Sequence, residues 1–133
     1  MVDIPYNFSG PWLGNTFGSH TMNVYADILQ TAEVLTIKVH TAPVAGGTPN
    51  VFSGEGKIEG SEIAIALKSL NPDATVTGNL KLDVRSADAM DGPWEISDGS
   101  KGRIHLTRYR GTANPAQRKF LQLITKEHSF GTL

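Results

Sequence analysis

The chain has 133 residues, with 12 Lys or Arg against 13 Asp or Glu, and a formal net charge of −1. This near-balance excludes the basic footprint of a nucleic-acid or anionic-membrane binder. With no cysteine, disulfides, thiolate metal sites and thiol catalysis are excluded together.

Taken in order, residues 1–9 read as an irregular lead-in, and Pro11 to Phe17 as a short first strand ended by Gly18-Ser19. From His20 to Gln30 the pattern alternates, with Met22, Val24, Ala26 and Ile28 on one face and Asn23, Tyr25 and Asp27 on the other. Glu33 to Thr41 repeats it, placing Leu35, Ile37 and Val39 inside and Thr36, Lys38 and His40 outside. Pro43 to Asn50 is a Gly- and Pro-rich connection. Val51 to Glu59 then puts Phe52, Gly54, Gly56 and Ile58 on one face. Gly60-Ser61 carries the signature of a type II′ hairpin turn into Glu62–Lys68, whose inner residues are Ile63, Ile65 and Leu67.

Asn71-Pro72-Asp73 turns the chain, and Thr75 to Arg85 sends Val76, Gly78, Leu80, Leu82 and Val84 inward. Gly92 to Arg110 reads as a closing hairpin. Trp94 and Ile96 alternate with polar residues, Asp98-Gly99-Ser100 supplies the turn, and Ile104, Leu106 and Arg108 share a face. About eight short strands at regular spacing predict an all-β antiparallel meander over a single domain, residues 1–133, and closure into a barrel leaves no sheet edge exposed. Beyond Gly111 the period changes to that of a helix, at about 115–128. Asn114 stands at the N-cap, Pro115 at the first helical position, and Ala116, Phe120, Leu123 and Ile124 form one stripe. That stripe needs cover, which the small outward residues Ala64 and Ala66 offer, unless they meet a second subunit.

The opening Gly10-Pro11-Trp12, echoed by Gly92-Pro93-Trp94, and the inward-phased Arg108 resemble the calycins: lipocalins, fatty-acid-binding proteins and avidins. The resemblance implies an up-and-down β-barrel in which Arg108 lies on the Trp12 indole in a cation–π contact, and the C-terminal helix has a lipocalin counterpart. The chain is shorter than most lipocalins and lacks their disulfide cysteines. It is more similar to small bacterial lipocalin-like domains. Two narrower relatives bear comparison. Trp12 followed by Gly18-Ser19 resembles the first strand of avidins, where a serine contacts biotin, but avidins line their site with several tryptophans and only Trp94 remains here. Gly10-Trp12-Gly14 resembles the start of nitrobindins, which hold haem through a late histidine. His105 is out of phase with the interior and His128 follows the helix, which argues against haem.

The inner face bears on function directly. Apart from Arg108 it is apolar, with no acid, base or nucleophile in a shielded position, so a non-enzymatic protein is expected. His20, His40, His105 and His128 show no metal-ligand spacing, and Gly46-Gly47-Thr48 lacks the lysine of a phosphate loop. Asp88, Asp91, Glu95 and Asp98 read as turns and a solvated face rather than a glycosidase pair. Lys101, Arg103, Arg108 and Arg110 place positive charge near the closing strand. The inward glycines Gly54, Gly56, Gly78 and Gly102 leave room for a cavity, or else mark bends where strands coil tightly.

The expectation is therefore a barrel binding a small apolar or amphipathic molecule, with Trp12, Phe52, Met90, Trp94 and Arg108 lining or closing the interior. No cofactor, metal, nucleic acid or membrane is expected, and a homo-oligomer stays open. The alternative is a filled barrel acting as a structural or protein-interaction module, self-associating through Tyr25, Ala64, Ala66 and the helix. Met1 to Pro5 lacks the basic and apolar regions of a signal peptide, so a cytoplasmic protein is expected, or a secreted one if a leader has been removed.

Overall fold

A computed structural model describes residues 7–44, 49–70 and 76–128, the last four as backbone only. Eight strands, β1 (Gly10–Gly18), β2 (Met22–Thr31), β3 (Val34–Pro43), β4 (Asn50–Glu59), β5 (Glu62–Ser69), β6 (Thr77–Ser86), β7 (Ala89–Ile96) and β8 (Lys101–Arg108), precede one helix, α1 (Pro115–His128). Each strand pairs antiparallel with its sequence neighbours, and β8 returns to β1, closing the barrel. In that last pairing Trp12 stands opposite Arg108 and Gly14 opposite Leu106.

Period-two patterning sorts the side chains. Val24, Ala26, Ile28, Leu35, Ile37, Val39, Ile63, Ile65, Leu80, Leu82, Ile104 and Leu106 are buried in one continuous core inside the barrel. The turns follow local chemistry. Gly60 has φ 65° and Gly99 φ 94°, each in the left-handed region between two strands. The third such turn, between β2 and β3, places Ala32 at φ 55°.

Several expectations change. Residues 7–9 have no regular structure, as expected of an irregular lead-in, but they are anchored: Phe8 is 1% exposed and joins the core. Its N–H donates to Gln30 Oε1 at 2.8 Å, and the Gln30 N–H donates to Ser9 Oγ at 2.8 Å, so this segment is stitched to the end of β2. Strand β7 begins at Ala89, three residues before the expected hairpin, because β6 bulges between Val84 and Ser86 and turns back immediately. The Asn71-Pro72-Asp73 turn, Gly46-Gly47-Thr48 and Gly131 lie outside the described residues.

The helix begins where expected. The Asn114 N–H donates to Gln117 Oε1 at 3.0 Å, and the Gln117 N–H donates to Asn114 Oδ1 at 2.8 Å, a reciprocal capping box. It does not dock on Ala64 and Ala66. Phe120 and Ile124 bury against Leu13 of β1 and Ala42 of β3, flanked by Tyr25 and Tyr109. Connectivity decides this. The chain leaves β8 along β1, where the Tyr109 N–H donates to the Pro11 carbonyl at 3.0 Å. A six-residue connection, 109–114, keeps the helix near β1 and β2, whereas β5 lies across the barrel.

Candidate functional site

The two ends of the barrel are built differently. At one end Trp12, fully buried, donates its indole N–H to the Phe8 carbonyl at 2.9 Å and packs 6.1 Å from the Phe8 ring. The Arg108 guanidinium lies 4.6 Å from the Trp12 ring centroid, a cation–π contact. Its nitrogens donate to the carbonyls of Asn7, Ser9 and Ala87 at 2.8, 3.2 and 2.9 Å, and to Asp88 at 3.1 Å. Arg108 therefore ties the segment before β1 to the β6–β7 turn. This end is a floor.

The other end holds a cavity of about 270 Å³. Its wall is mostly apolar, including Val39, Phe52, Leu67, Leu80, Trp94 and Ile104. Trp94 is 7% exposed, and its indole N–H is engaged by the Arg103 carbonyl at 3.0 Å. The ring is thus held by the neighbouring strand and presents only an apolar surface.

A polar rim surrounds the opening, to which Thr16, His20, Thr41, Asn50, Asp98 and Ser100 contribute. Thr16 shapes the β1–β2 turn: its hydroxyl donates to the His20 carbonyl at 3.0 Å and accepts from the Met22 N–H at 3.1 Å. That turn carries the His20 ring over Trp94, stacked at 6.4 Å and 16°. His20 Nε2 is hydrogen-bonded to Ser100 Oγ at 3.0 Å. Backbone bonds reinforce the join, from the Ser19 N–H to the Lys101 carbonyl at 2.9 Å and from the Lys101 N–H to Ser19 Oγ at 3.0 Å. Ser19, the residue in the avidin-like position, is thereby used to join two turns. Asp98 accepts from the Ser100 N–H at 2.8 Å. Hydrogen bonding from Ser100, with a smaller contribution from His20, holds its carboxyl below the usual value.

Of the expected site residues, Phe52 and Trp94 line this cavity. Trp12 and Arg108 meet each other at the floor. Met90 is fully buried, opposite Val84 and Leu106 in register, and is not part of the cavity wall. The glycines do not make the space. A methyl added at Gly54 would come within 2.2 Å of the Ala66 carbonyl oxygen, and one at Gly102 within 1.8 Å of that of Phe17. They sit where neighbouring backbones approach closely as the strands coil.

The rim residues escaped strand phasing because most of them lie in turns or at strand ends. His20 was the legible one: it keeps the phase of Met22 and Val24. The basic residues also separate. Arg108 and Arg110 meet Asp88, Arg110 at 2.6 Å, while Arg103 reaches Asp91 on the outer face at 3.4 Å. His20 and Ser100 resemble half of a nucleophilic relay, but the Ser100 N–H is taken by Asp98 and the Lys101 N–H by Ser19. Neither amide remains to hold an oxyanion. His105 is exposed on the outer face, and the side chain of His128 lies outside the described residues.

No protein-family model and no curated protein matches the sequence. Among solved structures the chain is similar to a redesigned beta barrel, mFAP1, bound to DFHBI, with 15% identity and a TM-score of 0.67 over 76% of this chain and 94% of that one. It is also similar to a de novo designed fluorescence-activating beta barrel, with 20% identity and a TM-score of 0.66 over 82% of this chain and all of that one. The likeness is one of fold: the chain is a small closed eight-stranded antiparallel up-and-down barrel, in which Arg108 lies against the Trp12 ring as expected.

Proposed function

We propose that this protein is a non-enzymatic barrel that binds one small apolar or amphipathic molecule in the cavity beside Trp94 and Phe52. The observation that carries this reading is the apolar space of about 270 Å³ opening at one end of the barrel. It equals the share of roughly nine liquid waters and lies just under the ~300–1,000 Å³ of drug-sized sites, so it suits a ligand of one or two fused rings. One of the similar barrels is described as bound to DFHBI, a small molecule, which supports the reading at the level of architecture.

An NMR titration with 2-naphthylmethanol tests it. The expected outcome is saturable shifts confined to residues around Phe52, Trp94 and Ile104, abolished in Val39→Phe, which fills the cavity. Shifts on the outer surface alone, or none at millimolar probe, refute it.

A second reading rests on a separate observation. Ala64 and Ala66 remain exposed in an open outer groove of about 1050 Å³ across β4 to β8, which suits a second copy of the chain. Sedimentation velocity over a concentration series, with Ala66→Glu as the blocking variant, decides it.

A further inference from the structure

The geometry points to a ligand whose polar end is cationic or neutral, and against a carboxylate such as that of a fatty acid. This inference rests on the cavity reading above and concerns the charge that the opening tolerates.

Among the described residues, the inward cation of the barrel is Arg108, and it is committed at the floor to the Trp12 ring, three carbonyls and Asp88. It is not part of the cavity wall. Among the described residues lining the cavity there is no Lys or Arg, and the carboxylate among them is Asp98. The sequence between β3 and β4 and between β5 and β6 adds no Lys or Arg either. Lys101 directly follows Ser100 but belongs to the outer groove, as does Arg103, since successive strand side chains face opposite ways.

The Asp98 carboxyl is held in its ionised form by Ser100. A ligand carboxylate emerging at the rim would therefore meet a like charge and only neutral donors, such as the Ser100 and Thr41 hydroxyls and the Asn50 amide, with no cation among the described lining residues to offset it. An ammonium would meet Asp98 and the oxygens of Ser100, Thr16 and Asn50. Between unit charges a few ångströms apart at a wet surface, the attraction and the repulsion together separate the two ligands by about tenfold in affinity.

The test is equilibrium binding of three probes of one shape, 2-naphthylmethylamine, 2-naphthylmethanol and 2-naphthoate, to the intact chain at pH 7.5 and low salt. The expected order is amine, alcohol, carboxylate, with about tenfold between the ends. Asp98→Asn retains the oxygen that caps the Ser100 N–H while removing the charge, and it should narrow that ratio to about threefold or less. Raising the salt on the wild-type protein should narrow it as well, a readout that requires no variant. Equal or tighter binding of the carboxylate, or a ratio unmoved by both Asp98→Asn and salt, overturns the inference while leaving the cavity reading intact. Failure of all three probes to bind overturns the cavity reading itself, and this inference with it.

Discussion

Arg108 has four hydrogen-bond acceptors and an indole face within reach. Its charge is worth more there than an exposed pair would be, because the side chain is only 17% exposed. Arg108→Ala should lower unfolding stability by roughly 2–4 kcal/mol, measured by urea denaturation. Arg108→Lys should recover less than half, since an ammonium cannot reproduce a planar fan of donors. A loss below about 0.5 kcal/mol for the alanine variant would mean that the floor stands without this contact. Ala32 has the opposite character. An alanine held at φ 55° carries a steric cost of about 1–2 kcal/mol, which glycine removes at some expense in unfolded-state entropy. Ala32→Gly should therefore raise the thermal midpoint, with a net gain of about 0.5–1 kcal/mol; a fall would show that the turn is not strained there.

The strands and the helix differ in what holds them. Strand identity follows from a two-residue period with one buried face, so the inward set from Val24 to Leu106 was legible in the sequence, as was the Trp12–Arg108 pairing. The helix was legible at its start, because Asn114 and Pro115 are local signals, to which the structure adds the Gln117 capping partner. Asn114→Ala should cost about 1 kcal/mol, visible as earlier loss of helical ellipticity; no change would mean that packing of Phe120 and Ile124 alone sets the helix. Its docking site was not legible, because composition favoured the small residues Ala64 and Ala66 while chain connectivity governs reach. Burial between barrel and helix, followed by the charge of Asp27, raises the Tyr25 phenol above its ordinary value. The rim was hidden for a related reason. Thr16 lies in β1 and His20 keeps the phase of β2, but Asp98 and Ser100 sit in a turn that has no period, so only folding reveals that the four converge.

For the whole molecule, three carboxylates respond to acid, Asp88 and Asp98 exposed and Asp91 half-buried. Hydrogen bonds from Arg110 to Asp88, from Arg85 to Asp91 and from Ser100 to Asp98 hold each below the ordinary value of 3.8. A carboxyl depressed by folding adds stability that is present above 3.8 and is lost as pH falls through its folded value. The thermal midpoint should accordingly drop as pH is lowered beyond about 4, and less steeply in Asp88→Asn; a midpoint that holds steady down to about pH 2 would contradict this. The effect is modest, because exposed pairs are weak.

The β1–β8 join has a consequence for how the molecule is made. Every other pairing links sequence neighbours, but this one brings together the two ends of the strand series, and loop-closure entropy makes such a contact the last to be rewarded. Until it forms, β1 and β8 are raw sheet edges, each able to recruit a strand from another nascent chain. Helix α1, which follows β8 in the chain, comes to rest beside that junction, so it can pack there only once β8 has been made. Synthesis before β8 and α1 emerge is therefore the stage at which the open β1 edge invites aggregation.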